Sequence, residues 1–342
     1  MDLGTIWFLL WGVLWAVYFV LDGFDLGVGM LAPVLAGSDT EKRILLNSVG
    51  PFWDGNEVWL ITAGGVTFAA FPGTYAVMFS ALYTPLMLLL FALIFRGIAF
   101  EFRSKMETPA MRSLWDKIHF LGSFLPTLLL GVAFANIFQG VPIDKNGIFQ
   151  GNLFTLLNPY GLAGGVLFVL AFLMHGALFL ACKTENPIRD RAIRVAEKLW
   201  AALLAVAVLF LVFSAVATKL FLNYIENPLL FAVLALPVGG LLMQRVYIGQ
   251  RRMLAAWTAS AVTIAGVALF GVLGIYPALL PSSLDPAFSM TIANSASSPL
   301  TLKIMLTVAL TFVPIVILYQ AWVYKTFSHK VTEKDVDYHE AY

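Results

Sequence analysis

The stretch TIWFLLWGVLWAVYFVLDGFDLGVGML, residues 5–31, decides the fold. It runs past the ~20 apolar residues that cross a bilayer as a helix. Two acids, Asp22 and Asp25, interrupt it, three apart and hence on one helical face. A charged side chain at bilayer depth costs at least ~2.5–3.5 kcal/mol on insertion scales. Carboxylates held there point to a function, most simply the handling of protons or cations. A second stretch repeats the pattern: PFWDGNEVWLITAGG, residues 51–65, carries Asp54 and Glu57, again three apart.

Composition extends this reading to the whole chain. Of 342 residues, 60% are hydrophobic and 12% charged, and the mean hydropathy is +0.85. A soluble domain carries about 25% charge, so this is a polytopic membrane protein. The first apolar segment is too long for a signal-peptide core and lacks a basic leader, so no cleavable signal is expected. A net charge of +1 gives no reason to expect nucleic acid. The one cysteine, Cys182, allows no internal disulfide. Of four histidines, His329 and His339 lie in the polar C-terminal tail, leaving His119 and His175 in apolar helices. That is too few to ligate several haems, and none is expected in this chain. Asp25 and Asn56 could face a cation, but two oxygen ligands do not define a metal site.

Hydropathy predicts nine spans, at 5–33, 52–71, 74–98, 118–139, 160–182, 199–221, 228–244, 254–279 and 301–324. Lys and Arg concentrate in the loops at 34–51, 99–117, 183–198 and 245–253 and in the tail. The opposite side has Lys145, with Lys219 and Lys303 near helix ends. The positive-inside rule then puts the N-terminus outside and the C-terminus in the cytoplasm, as nine spans require. A faint repeat accompanies the count. Gly12-Val13-Leu14 precedes Asp22-Gly23 by the same ten residues that separate Gly165-Val166-Leu167 from His175-Gly176. Gly131-Val132-Ala133 precedes Pro142 by eleven, as Gly266-Val267-Ala268 precedes Pro277. An offset of four spans preserves direction, so the repeats are parallel. The expected architecture is all-α: a four-helix repeat in 1–139, a second in 160–279, a peripheral ninth helix at 301–324 and a cytoplasmic tail at 325–342.

Both acidic pairs fall at the cytoplasmic ends of their spans, so they could meet at similar depth. Gly23 and Gly27 would let another helix approach closely beside the first pair. One reading is a polar pocket that admits protons, with Asp54 between Trp53 and Trp59 as its foremost member and Asp25 and Glu57 beside it. The other is structural. Pro51 suits a first helical residue, so Asp54 and Glu57 would complement the helix dipole, while Asp22 and Asp25 would cap or pair with loop basics. Arg96, ending the third span, either snorkels to headgroups, pairs with Asp54 or donates to a quinone carbonyl. His119 and His175 read as packed helix residues.

The runs DGFDLGVGML, NSVGPFWDGNEVWLITAGG, FRSK, GSFLPTLLLGVAFANIFQGVP, LLNPYGL and YPALLPSS together resemble subunit II of cytochrome bd ubiquinol oxidase, over nearly the whole chain. The resemblance implies a complex that oxidises quinol and reduces dioxygen with cytoplasmic protons. Subunit I would carry haems b and d and the quinol site, and this chain would carry no haem. Asp54 falls on the acid of the family's WDG motif, which belongs to a proton pathway. Trp53 and Arg96 match positions beside a structural quinone held by some members. Phe52 stands where some relatives have histidine, which leaves Asp54 with one fewer titratable neighbour. The implied partners are subunit I, membrane lipids and quinone, and a small single-helix subunit in some complexes. The implied location is the bacterial inner membrane. An ion-coupled secondary transporter would also explain intramembrane carboxylates and parallel repeats. Against it, the acids cluster at one surface and no pair of interrupted helices stands out. A purely structural scaffold is the third reading.

Overall fold

A computed structural model describes residues 2–337, so the last part of the tail, including His339, lies outside the described residues. Fourteen α-helices make up almost all of it. In chain order they are α1 (Leu3–Leu35), α2 (Asp39–Val49), α3 (Trp53–Ala70), α4 (Pro72–Ala81), α5 (Tyr83–Arg103), α6 (Pro109–Gln139) and α7 (Leu153–Leu156). Then follow α8 (Pro159–Lys183), α9 (Ile188–Ala217), α10 (Leu220–Glu226), α11 (Phe231–Gly249), α12 (Met253–Ile275), α13 (Ile292–Ser295) and α14 (Pro299–Thr326). A two-stranded antiparallel ribbon, β1 (Ala278–Leu280) with β2 (Met290–Thr291), follows α12.

Among the described residues eight helices are long and apolar enough to cross a membrane. They are α1, α5, α6, α8, α9, α12 and α14, together with α11 and the short turn before it. The second expected span, α3, is not one of them, because its polar first turn lowers its hydropathy. The third, expected as one run over 74–98, is divided into α4 and α5 at Leu82. Pro85 in the first turn of α5 has no N–H to carry the helical ladder back across the break.

The helix starts are written locally. Thr108-Pro109, Asn158-Pro159 and Ser298-Pro299 each place a side-chain cap before a proline at the first helical position. Asp2 caps α1 by accepting from the Thr5 amide at 2.8 Å. The 33 residues of α1 would extend about 50 Å at 1.5 Å per residue, more than the bilayer core of about 30 Å.

Helix α1 is the hub. It packs on α3, α6, α8 and α12, while α8 packs on α6, α9 and α12. α5 lies on α6, and α11 on α12. Edge-on aromatic contacts fill the centre, with Phe134 against Trp15 and Phe19, each at 4.9 Å between centroids. α14 lies outermost, exposing Leu310, Phe312, Leu318 and Trp322. It is held by the Trp7 indole donating to the Leu302 carbonyl and the Trp59 indole donating to Gln320 Oε1, both at 3.0 Å.

The α1–α8 crossing depends on the absence of side chains. A Cβ on Gly27 would stand 2.0 Å from the Phe172 carbonyl oxygen, and one on Gly176 2.6 Å from the Gly27 carbonyl carbon. Gly27→Ala is therefore expected to destabilise the protein by about 1–3 kcal/mol through overpacking. Gly65→Ala meets nothing within 4 Å and is expected to leave thermal unfolding unchanged. Melting of the purified complexes checks both.

Candidate functional site

The two acidic pairs meet, but not as two pairs of equals. α1 presents Asp22 and Asp25 on one face, both fully buried. α3 starts after Phe52, whose side chain provides no cap, so the first turn takes its polar character from Asp54, Asn56 and Glu57. α5 brings Arg96, which is fully buried. Its Nη1 donates to Glu57 Oε1 at 2.7 Å and stands 3.6 Å from Asp22 Oδ1. Arg96 thus neither snorkels nor pairs with Asp54; it ties α1, α3 and α5 together from inside. Its guanidinium carbon lies 6.0 Å from the Trp53 ring centroid and 5.5 Å from that of Phe100, and these two rings stack on each other.

Asn56 forms the second link. Its Nδ2 donates to Asp25 Oδ2 at 2.6 Å and to the Leu21 carbonyl at 3.1 Å, while its Oδ1 accepts from the Tyr324 hydroxyl at 3.0 Å. The Asn56 nitrogen faces Asp25 directly, which closes the cation position considered between them. No cluster of three or more metal-ligating residues occurs among the described residues. Asp22 and Asp25 pair with groups on helices, not with loop basics.

Asp54 lies elsewhere. It sits on the exposed side of the first turn of α3 and makes no ion pair among the described residues. Glu57, one turn on, keeps 20% of its side chain exposed and bridges that surface to the buried cluster.

Three participants were missed or undervalued in the sequence. Tyr18 stands one turn before Asp22, a spacing that could have revealed it. Asn56 matters as a donor, not as a metal ligand. Tyr324 comes from the far end of the chain, and no local pattern announces it. Beneath the cluster, on the side of the basic loops, Arg103 donates to Asp39 at 2.6 Å and Asp116 at 2.5 Å, and Lys42 donates to Asp116 at 2.7 Å. Burial works against a charge on Glu41, yet its bonds to Arg191 and to the Gly37 amide hold its carboxyl below the usual range.

Removing Arg96 leaves buried carboxylates without their cation, a change that costs about 3–5 kcal/mol in buried pairs. Arg96→Met is expected to lower the melting temperature sharply or abolish assembly. Glu57→Gln removes the nearest charge but keeps an oxygen that accepts from the guanidinium, and is expected to lower it by a smaller amount. Size-exclusion yield and thermal melting of the two variants check the contrast.

The chain matches the family described as cytochrome bd terminal oxidase subunit II over residues 3–327. It is 38% identical over 337 residues to cytochrome bd ubiquinol oxidase subunit 2 of Bacillus subtilis, covering 98% of each chain. It is 39% identical to cytochrome bd-I ubiquinol oxidase subunit 2 of Escherichia coli K12, covering 97% of this chain and 96% of that one. A chain of the bd oxidase from Geobacillus thermodenitrificans shares the fold, with a TM-score of 0.78 at 18% identity, covering 96% of this chain and 99% of that one. These likenesses leave no support for the secondary-transporter reading. The chain belongs to the cytochrome bd terminal oxidase subunit II family.

Proposed function

We propose that this chain, as subunit II of an inner-membrane quinol:O2 oxidoreductase, carries cytoplasmic protons towards a haem-bearing subunit I, with Asp54 at the surface that meets that subunit. The observation that carries the reading is the charge arrangement on α1, α3 and α5. Asp22 and Glu57 share one guanidinium, Asp25 lies buried three residues on from Asp22, and a fourth acid, Asp54, stands exposed on the same helix turn as Glu57. A cluster with more carboxylates than cations keeps a proton within reach at membrane depth. Asp25 and Glu57 belong to this path.

The finer architecture belongs to the same proposal. Nine spans result if α3 crosses and α4 with α5 forms one broken crossing. Two four-helix repeats then pair α1, α3, α5 and α6 with α8, α9, α11 and α12. The packing supports this: α1 on α3 mirrors α8 on α9, α5 on α6 mirrors α11 on α12, and α1 on α12 mirrors α8 on α6. The basic loops support an N-terminus outside and a tail inside.

His175 and His119 do not suit haem. His175 stacks on Trp257 at 5.4 Å and its Nε2 is engaged with the Val20 carbonyl at 3.1 Å. His119 packs against Gly29 and edge-on to Phe100 at 4.6 Å. This packing supports the reading that haems b and d sit in subunit I. A quinone carbonyl fits Arg96 better, because its Nε and Nη2 are buried donors without a protein acceptor. The stacked Trp53 and Phe100 rings would lie to one side of such a headgroup. The exposed apolar faces of α9, α11 and α14 suit lipid and a small single-helix subunit.

Asp54→Asn keeps size and hydrogen bonding but removes the exchangeable charge. Quinol oxidase turnover is expected to fall about a hundredfold or more, the range by which positioned acids and bases act, with haem content near parental. Asp54→Glu is expected to retain more activity. Parental respiration in both variants would refute the role of Asp54.

A further inference from the structure

A groove runs along the exposed side of α11 and α12, starting at the turn that joins them. Gly240, Met243 and Tyr247 form one wall and Ala255, Ala259 and Val262 the other, around a volume of about 710 Å³. Spacings of three and four put each set on one face of its helix. Below the rim the only side-chain hydroxyl in the walls is that of Thr258, which already donates to the Leu254 carbonyl at 3.0 Å. The groove is therefore apolar along its length. The residues from Arg252 to Val262 extend about 15 Å at 1.5 Å per residue, half of a bilayer core of about 30 Å.

The rim is cationic. Arg252 lines it, with its guanidinium carbon 5.2 Å from the centroid of the Tyr247 ring, and Arg251 stands exposed beside it. Neither arginine is in an ion pair among the described residues, and no acid lines the groove. The turn itself is unusual. The Arg252 amide donates to the Tyr247 carbonyl at 2.9 Å and the Arg251 amide to the Ile248 carbonyl at 3.0 Å. This pattern ends a helix with one left-handed residue, which is usually glycine. Here that residue is Arg251, at φ 58°. A strained backbone at an exposed arginine gains no buried contact, so the strain points to a use for its charge.

We propose that the α11–α12 groove is a site for one anionic phospholipid of the inner leaflet, with its phosphate on Arg251 and Arg252 and one acyl chain between Met243 and Val262. The leaflet rests on the orientation proposed above; the site does not. Charge and length select this occupant. A guanidinium offers phosphate a fork of parallel donors, and the Tyr247 ring steadies that of Arg252 without using its hydrogens. A zwitterionic lipid would bring an ammonium group, for which the groove has no carboxylate. A partner helix would need the full depth of the core, and the groove ends at half of it. Basic pockets between helices on the cytoplasmic side are a recurrent form of anionic-headgroup site.

Photolabelling of the intact oxidase complex in dioleoylphosphatidylethanolamine nanodiscs tests this. The probe is a trace of phosphatidylglycerol with a diazirine midway along one acyl chain, and peptide mass spectrometry maps the label. Label is expected within residues 240–262, and added dioleoylphosphatidylglycerol is expected to displace it well before it makes up half of the lipid. Displacement only in proportion to dilution, as for bulk lipid, would overturn the proposal. The half-displacing fraction is expected to rise about fivefold for each arginine removed, in Arg252→Gln and then in Arg251→Gly with Arg252→Gln. Arg252→Lys keeps the charge and is expected to stay within about twofold of the parent. Parental displacement in the double variant would refute the site. Arg251→Gly alone relieves the left-handed backbone, so it is expected to weaken lipid binding without lowering the melting temperature of the delipidated complex. A weakened site that melts earlier would instead show the arginine to be structural and overturn its role. A reporter fused after residue 330 that scores external, with the label still in place, would overturn the inner-leaflet assignment alone.

Discussion

A guanidinium with no exposure inside an apolar helix bundle is the constraint on which the first half of this protein is built. Arg96 cannot be left alone there, since an unpaired charge in a low-dielectric interior is strongly unfavourable. Its partners therefore fix three helices. Asp22 sets the rotation of α1, Glu57 sets the polar first turn of α3, and Arg96 itself sets the depth of α5. Gly122 completes the arrangement from behind: a Cβ there would lie 2.8 Å from Arg96 Cβ and from the Ala92 carbonyl. α6 can back onto α5 only because that position is bare. The low hydropathy of α3 follows from the same demand, because its first turn supplies Glu57 and Asn56 to α1 and α5.

The second half lacks that demand and is packed differently. The position that the ten-residue spacing aligns with Asp22 holds His175, which rests on Trp257 and bonds a backbone carbonyl. The buried polar group of α11 is Gln244, donating to Thr263 at 2.7 Å. Neutral groups, each bonded to one neighbour, replace a charged network spanning three helices. Pro237 of α11 lies against Gly266 of α12, so close backbone approach holds that pair of helices. The buried carboxylate–guanidinium network thus lies in the half that contains Asp54.

Much of this was legible in the sequence, for physical reasons. The all-helical membrane fold follows from hydropathy, and three-residue spacings announced which acids share a face. The proximity of the two acidic pairs was readable from their common depth. The break at Leu82 was not, because Pro85 sits in a run whose hydropathy is continuous on both sides. The exposure of Asp54 was hidden too. Trp53 and Trp59 flank it in sequence, but on a helix neighbours one apart point to different sides, and the burial falls on Trp59, not on Asp54. Arg96 at a span's end looked like a snorkelling residue, and only the tertiary approach of α1 makes it internal. Tyr324 reaches Asn56 from 268 residues away, a contact that no local pattern encodes.

The central claim is that Arg96 and Asp22 are held by each other, not by independent local contacts. A double-mutant cycle with Arg96→Gln and Asp22→Asn, read as thermal stability of the purified complex, measures this directly. Coupled buried charges are expected to give an interaction of at least about 1 kcal/mol, the double variant being less destabilised than the sum of the singles. Additivity within about 0.3–0.5 kcal/mol, the range for independent sites, would contradict the account.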